Sequence, residues 1–147
     1  MKSGVGAIVG MGAISGLSMA TDMPLLIAPL GATAVLLFGQ PASPLSQPVN
    51  VFGGYVLAAA IGVGAAQVFP GAWWAAAIAV GVVIAAMLAL RVTHPPAGAI
   101  PLVASATPFQ GNMLFGAVLI GSVSLVALAL LHHRIPPRHD YPRRPAE

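Results

Sequence analysis

Charge is almost absent from most of this chain, and that absence limits what the chain can fold into. Only Lys2, Asp22 and Arg91 are charged among the first 133 residues, whereas the last fourteen carry six charged residues. Hydrophobic residues make up 58% of the sequence. A water-soluble fold with this composition would expose far more apolar area than the few hundred Å² that soluble monomers tolerate. The sequence therefore predicts a protein whose solvent is largely lipid.

The apolar stretches predict four long transmembrane helices. A helix needs about 20 apolar residues to cross a hydrocarbon core of about 30 Å. Residues 51–69, 72–90 and 112–131 meet that length, and residues 4–20 are slightly short but uncharged after Lys2. The predicted fold class is therefore an all-α membrane protein.

Two further apolar segments are too short to cross a membrane as regular helices. Residues 25–38 are interrupted by Pro29 and Gly31, and residues 97–107 contain Pro101. A helix over residues 97–107 would be only about 16 Å long. Non-helical backbone at membrane depth must be buried in protein or line a polar cavity, because unpaired peptide groups are costly in lipid. We therefore expect both segments to be functional.

The two broken segments resemble each other, which predicts two structural repeats. The sequence Pro-Leu-Gly-Ala at 29–32 precedes Pro-Ala-Gly-Ala at 96–99 by 67 positions. Each repeat contains a long span, a broken segment and a second long span, over residues of about 4–69 and about 72–132. Short, interrupted segments at corresponding positions of two halves indicate the central site of a transporter.

The repeats permit two topologies within a single transmembrane domain, residues 1–133. If the broken segments cross the membrane, there are six crossings and the halves are inverted; if they dip in and return, there are four spans and the halves are parallel. Both arrangements place Lys2 and the basic tail, residues 134–147, on one side, which the positive-inside rule makes cytoplasmic. Only the inverted arrangement adds Arg91 to that side, and we prefer it.

Three motifs resemble the HPP family of integral membrane proteins. They are Thr-His-Pro-Pro-Ala-Gly-Ala at 93–99, Ala-Pro-Leu-Gly-Ala-Thr-Ala-Val-Leu-Leu-Phe-Gly at 28–39, and Ser-Pro-Leu-Ser-Gln-Pro-Val-Asn at 43–50. The family is named for His-Pro-Pro, here residues 94–96, and the resemblance extends from about residue 4 to residue 131. It implies four transmembrane helices and nitrite transport, which is associated with members in plastids and cyanobacteria. The chain looks like a compact bacterial relative, which implies a multi-pass protein of the inner (plasma) membrane.

The broken segments offer anion-binding chemistry without a fixed charge. A helix N-terminus presents unpaired N–H groups and the positive end of the helix dipole. Proline fixes where each helix begins, and glycine lets a ligand approach the backbone closely. The alternative is a packing corner, in which these residues merely permit close helix crossing. The candidate substrate-binding residues are Pro29, Gly31, Ala32, Thr33, His94, Pro95, Pro96, Ala97, Gly98 and Ala99.

His94 has two open interpretations. As an imidazolium it would attract an anion and couple uptake to a proton; as a neutral ring it would cap a carbonyl and hold the extended stretch in place. Thr33 adds a hydroxyl, whereas its counterpart Ile100 does not. Arg91 and Asn50 are candidates for a vestibule, although Arg91 at the end of a span can also reach the interface as a lipid anchor.

The other polar residues predict no cofactor and no metal site. His132, His133 and His139 lie in or beside the basic tail, where interfacial solvation explains them better than metal binding. Asp22 precedes Pro24 and is expected in a turn or at a helix N-cap. The basic residues of the Pro-rich tail form no folded face, so we expect no nucleic-acid partner.

The sequence therefore favours a membrane transporter or channel for a small monovalent anion, with nitrite indicated by the resemblance alone. The alternative is a structural or partner-binding membrane protein of a larger complex. We do not expect an enzyme, because the chain offers no carboxylate pair, assembled Ser/His/Asp set or phosphate loop. A chain this small is expected to form a homo-oligomer that shields its polar path.

Overall fold

A computed structural model describes residues 1–106 and 111–143, and within these residues all regular structure is helical. The α-helices are α1 (Lys2–Thr21), α2 (Ala28–Ala34), α3 (Pro48–Val68), α4 (Trp73–Ala89), α5 (Ile100–Ala106) and α6 (Gly111–Arg134). A π-helix, Val35–Gly39, continues α2, and 3-10 helices form Pro44–Ser46 and Pro95–Ala99. The all-α membrane fold is confirmed.

Helix lengths agree closely with the predicted spans. With 20, 21 and 24 residues, α1, α3 and α6 are long and apolar enough to cross a membrane. The fourth predicted span is shorter, because α4 has 17 residues and a length of about 26 Å.

Both predicted broken segments are interrupted helices. The first broken segment, residues 28–39, is α2 followed directly by the π-helix, and the second, residues 95–106, is a 3-10 turn followed by α5. His94 is extended (φ −135°, ψ 96°) because the following Pro95 disfavours the helical region for it. Residue 107, the predicted end of the second segment, lies outside the described residues.

Contacts between helix ends give the direction of each element in the first half. Gly6, near the start of α1, lies against the ring of Phe38, near the end of the first broken segment. The Ser46 hydroxyl bonds Leu36 O within that segment, two residues before α3 begins. The first broken segment therefore runs antiparallel to α1, and α3 starts where the segment ends.

The second half runs in the opposite sense. Three close approaches along α3 define it: Gly53 with Val92, Gly54 with His94, and Gly62 with Pro101. Since α4 ends beside the start of α3, and the second broken segment then advances along α3, α4 is antiparallel to α3 and the segment is parallel to it. The direction of the elements agrees with the inverted arrangement. The start of α1, Arg91 and the end of α6, whose His132 lies against Gly6, consequently lie at one end of the bundle, called here the terminal end.

Two left-handed residues lie just after the C-terminal ends of α1 and α4. Asp22 (φ 52°) follows α1, and Arg91 (φ 55°) follows α4. Non-glycine residues seldom adopt this conformation; Asp22 is the C-cap of α1, and Arg91 directly follows Leu90, the C-cap of α4. Of the two positions expected for Asp22, the turn is confirmed and the N-cap is wrong, because no helix starts after it until Ala28.

Candidate functional site at the junction of the broken segments

The two broken segments meet through a fully buried hydrogen bond. His94 Nε2 lies 2.8 Å from the hydroxyl of Thr33, and neither residue is exposed. The Thr33 hydroxyl also lies 2.7 Å from that of Tyr55 on α3. The other ring nitrogen, His94 Nδ1, is 2.8 Å from Leu45 O. Four residues thus form one continuous polar chain inside an apolar bundle.

The carbonyl at one end of this chain sets the direction of every bond in it. Leu45 O can only accept, so Nδ1 of a neutral His94 carries the hydrogen and Nε2 is left as an acceptor. Thr33 then donates to His94, and Tyr55 donates to Thr33. Each of the three bonds has one donor and one acceptor, and the chain is complete with a neutral ring. A protonated ring would donate from Nε2 to the Thr33 oxygen, which reverses that bond and frees the Thr33 hydrogen to turn towards Tyr55.

Local sequence explains how these side chains reach one another. The extended backbone before Pro95 directs His94 towards α2 and α3, and Gly54 leaves the space that the His94 Cβ occupies. Thr33 lies in the second turn of α2, and Tyr55 is two turns into α3. The rings of Tyr55 and His94 pack with centroids 5.3 Å apart.

The starts of the two broken segments lie side by side rather than head to head. His94, just before the second segment, contacts Thr33 in the second turn of the first. In the first turn of each segment, one of the N–H groups that a helix start leaves unpaired has a partner. Leu30 N–H donates to Ile27 O and Ala97 N–H donates to His94 O, both at 3.0 Å. A shared site would therefore lie along the flank of the junction.

The predicted binding residues divide by burial. Exposed among them are Ala32 and Pro95. The half-buried ones are Gly31, Gly98 and Ala99, and the buried ones are Pro29, Thr33, His94, Pro96 and Ala97. A Cβ added at Gly31 or Gly98 would meet no atom within 4 Å, so both glycines face open space.

The two vestibule candidates lie close to the junction. Asn50 Nδ2 donates to Thr93 O at 3.0 Å, which ties the start of α3 to the extended stretch before His94. Arg91 is exposed at the terminal end. The Asn50 amide is thus engaged with the stretch that positions His94, whereas the Arg91 side chain is exposed.

A cleft of about 840 Å³ opens at the other end of the bundle. Its polar lining residues are Gln67, Ser105 and Asn112, and Trp73 forms part of its wall. Along α3 the cleft begins at Val63, about two turns beyond Tyr55. The cleft is therefore separate from the polar chain. We place the candidate site at the polar chain, because the buried hydroxyl and imidazole groups lie there.

Comparison with known proteins identifies the transmembrane region. The sequence profile described as "HPP, transmembrane region" matches residues 1–142. Two transmembrane proteins of Dictyostelium discoideum are each 33% identical to this chain, over 125 residues (80% of the chain) and 129 residues (82%). These matches cover 40% and 45% of the two relatives, so the chain spans less than half of their length. No solved structure matches the chain.

Proposed function

The chain belongs to the HPP family of membrane proteins, and we propose that it is a transporter or channel for a small monovalent anion. Nitrite is the substrate proposed first, because nitrite transport is associated with plastid and cyanobacterial members. The proposed location is a bacterial inner (plasma) membrane, with both termini in the cytoplasm and several copies in each assembly.

The buried polar chain carries this proposal. Polar and ionisable side chains at membrane depth are costly, and they mark substrate paths more often than packing sites. His94, Thr33 and Tyr55 lie where both interrupted segments meet, which is where transporters built from two repeats bind substrate. Gly31 and Gly98 open the neighbouring backbone to a ligand.

The distribution of charge favours an anion over a cation. A cation site in a membrane normally uses carboxylates, and the sequence has three acidic residues. Asp22 ends α1 away from the terminal end, Asp140 is in the tail, and Glu147 lies outside the described residues. The junction therefore offers hydroxyl, imidazole and peptide donors and no carboxylate from the described residues.

Six crossings in two inverted repeats are part of the proposal. The order of long helix, broken segment and long helix occurs twice, with opposite directions. Asp22 and Arg91 support an ancestral duplication, because each half has a left-handed residue other than glycine shortly after its first helix.

The alternative, a structural or partner-binding role, has one observation in its favour. The polar chain is complete when His94 is neutral, so it can serve simply to join α2, α3 and the second broken segment. Transport and assembly are separable by experiment, because only a transporter should respond to the anion itself.

Reconstitution in liposomes tests the proposal directly. Purified protein should give saturable uptake of nitrite above that of protein-free vesicles, measured beside nitrate, formate and a cation. Thr33→Val, which keeps the shape of the side chain but removes the hydroxyl at the centre of the polar chain, should reduce uptake at least tenfold, or about 1.4 kcal/mol. Absence of anion uptake and of anion-dependent thermal stabilisation, together with a reproducible protein partner, would favour the alternative.

Topology gives a second test that does not depend on the substrate. Because the native sequence has no cysteine, single cysteines at Ser3, Arg91 and Asp140 should all be protected from an impermeant thiol reagent in intact cells. The exposed Thr21, at the other end of the bundle, provides the matched position that should be labelled. Labelling at residue 91 alone among the first three would contradict the inverted arrangement and favour four spans.

A further inference from the structure

The C-terminal strap, residues 135–143, folds back over the terminal end of the bundle. Lys2 Nζ donates to the carbonyls of Ile135 and Pro137. The Tyr141 hydroxyl donates to Ser46 O at 3.0 Å, and Arg143 N–H donates to Gln47 Oε1 at 2.7 Å. The strap is therefore bound both to α1 and to the loop that precedes α3.

That loop holds the end of the first broken segment. The Ser46 hydroxyl is 3.1 Å from Leu36 O, near the end of the segment, and 2.8 Å from the carbonyl of Gln40, the residue that follows it. The neighbouring Leu45 carbonyl accepts from His94. A continuous series of contacts thus runs from the strap, through the loop, to the junction of the broken segments.

His133, in the last turn of α6, holds the same segment from the other side. Its Nε2 lies 2.8 Å from Leu37 O, and the residue is only 2% exposed. Because the carbonyl can only accept, Nε2 carries the hydrogen and Nδ1 of the neutral ring is a bare acceptor. Nδ1 is buried and has no hydrogen-bond partner.

A second proton on His133 would meet no acceptor and no opposite charge. The rings of His132 and His139 flank the His133 ring, with centroids 5.3 and 5.6 Å away. The positive charge of Lys2 also disfavours a positive charge on His133. Tyr141 packs against the ring, and burial raises the pKa of its phenol, so it stays neutral. Among the described residues, every charge that faces His133 is positive or absent, and a buried, unpaired charge is strongly destabilising.

We propose that the strap is a pH-sensitive latch, released when His133 takes up a proton. Protonation places an unsatisfied N–H beside Lys2 and His139. The strap then moves away from the charged ring, because two of the groups that pack against this ring, His139 and Tyr141, belong to the strap. At neutral and alkaline pH the latch is closed and the end of the first broken segment is fixed. Release in acid frees the Ser46 loop and hence that end of the segment. The latch is a property of the tail and does not depend on anion transport.

The absence of native cysteine allows a single reporter on the strap. A spin label on Arg143→Cys should be immobilised at about pH 8 and several-fold more mobile at about pH 5, the range in which histidine changes charge. His133→Gln keeps a donor for Leu37 O but cannot charge, so its label should remain immobilised at both values. The matched control His132→Gln removes the neighbouring histidine, whose Nε2 is also buried without a partner, and it should keep the response.

Tyr141→Phe tests the closed state separately. It removes the hydrogen bond to Ser46 O and should mobilise the label already at about pH 8. A label in the parent protein that is equally mobile at both pH values would overturn the latch. A pH response that survives in His133→Gln would also overturn it, because the sensor would then be another group. An immobile label in Tyr141→Phe at alkaline pH would show that the strap is not held through Ser46.

Discussion

Valine in place of Gly31 or Gly98 is expected to lower anion affinity more than tenfold, or about 1.4 kcal/mol, in a protein that still folds. Both glycines face open space beside the junction, so an added side chain would stand between a ligand and the backbone N–H groups. The same open space means that the side chain displaces no protein atom at its Cβ. Anion-dependent thermal stabilisation and uptake in liposomes should both decrease.

Two other glycines provide the matched packing control. A Cβ at Gly54 would lie 2.8 Å from the Cβ of His94, and one at Gly62 would lie 2.8 Å from the Cα of Pro101. Alanine at either position should therefore lower the stability of the fold by about 1–3 kcal/mol, measured as a lower unfolding temperature in detergent. If Gly31→Val and Gly98→Val bind anions as the parent does, the backbone site at the broken segments is wrong; if they unfold like the packing variants, both glycines serve packing.

The membrane class and the positions of the helices could be predicted from sequence because both depend on local composition. Charges are excluded from residues that contact lipid, and proline favours the first position of a helix. The second broken segment therefore starts at Pro95, one residue after the extended His94. The relative direction of the two halves was less accessible, because it depends on contacts such as Gly53 with Val92 that join distant parts of the chain.

The candidate site could be predicted only in part, for a similar reason. His94 and Thr33 were identified by their motifs, and the structure brings them together. Tyr55 was missed, although a hydroxyl in the middle of an apolar span is a usable signal, since a buried tyrosine needs a hydrogen-bond partner. The contribution of Leu45 was not predictable, because only its backbone carbonyl contacts His94. The position of that carbonyl depends on the loop geometry and not on the type of side chain. The partners of His133 and Tyr141 are likewise backbone carbonyls.

Replacing His94 by Gln should remove the pH dependence of anion binding. In the parent protein, a proton on Nε2 would make the ring donate to Thr33, so that the Thr33 hydrogen can turn to Tyr55 and the Tyr55 hydroxyl can donate to a bound anion. Anion and proton then each favour the binding of the other, and affinity should rise as the pH falls. Glutamine offers an N–H for Leu45 O and an oxygen for Thr33, but it cannot charge. His94→Gln should therefore fold normally and bind with a flat pH profile.

Tyr55→Phe separates the charge of His94 from the reversal of the hydroxyl bonds. This variant keeps the aromatic ring beside His94, and Thr33 can still donate to Nε2. With a neutral His94 only the bond between Tyr55 and Thr33 is lost, and no buried N–H or O–H group is left without an acceptor. If the Tyr55 hydroxyl carries the effect of the proton to the anion, the pH profile of Tyr55→Phe should flatten as in His94→Gln, although the His94 ring can still become charged. If only the imidazolium field matters, Tyr55→Phe should keep the parent profile. Unchanged affinity and an unchanged profile in His94→Gln would remove the ring from the mechanism, and the polar chain would then act as a structural joint between the two broken segments.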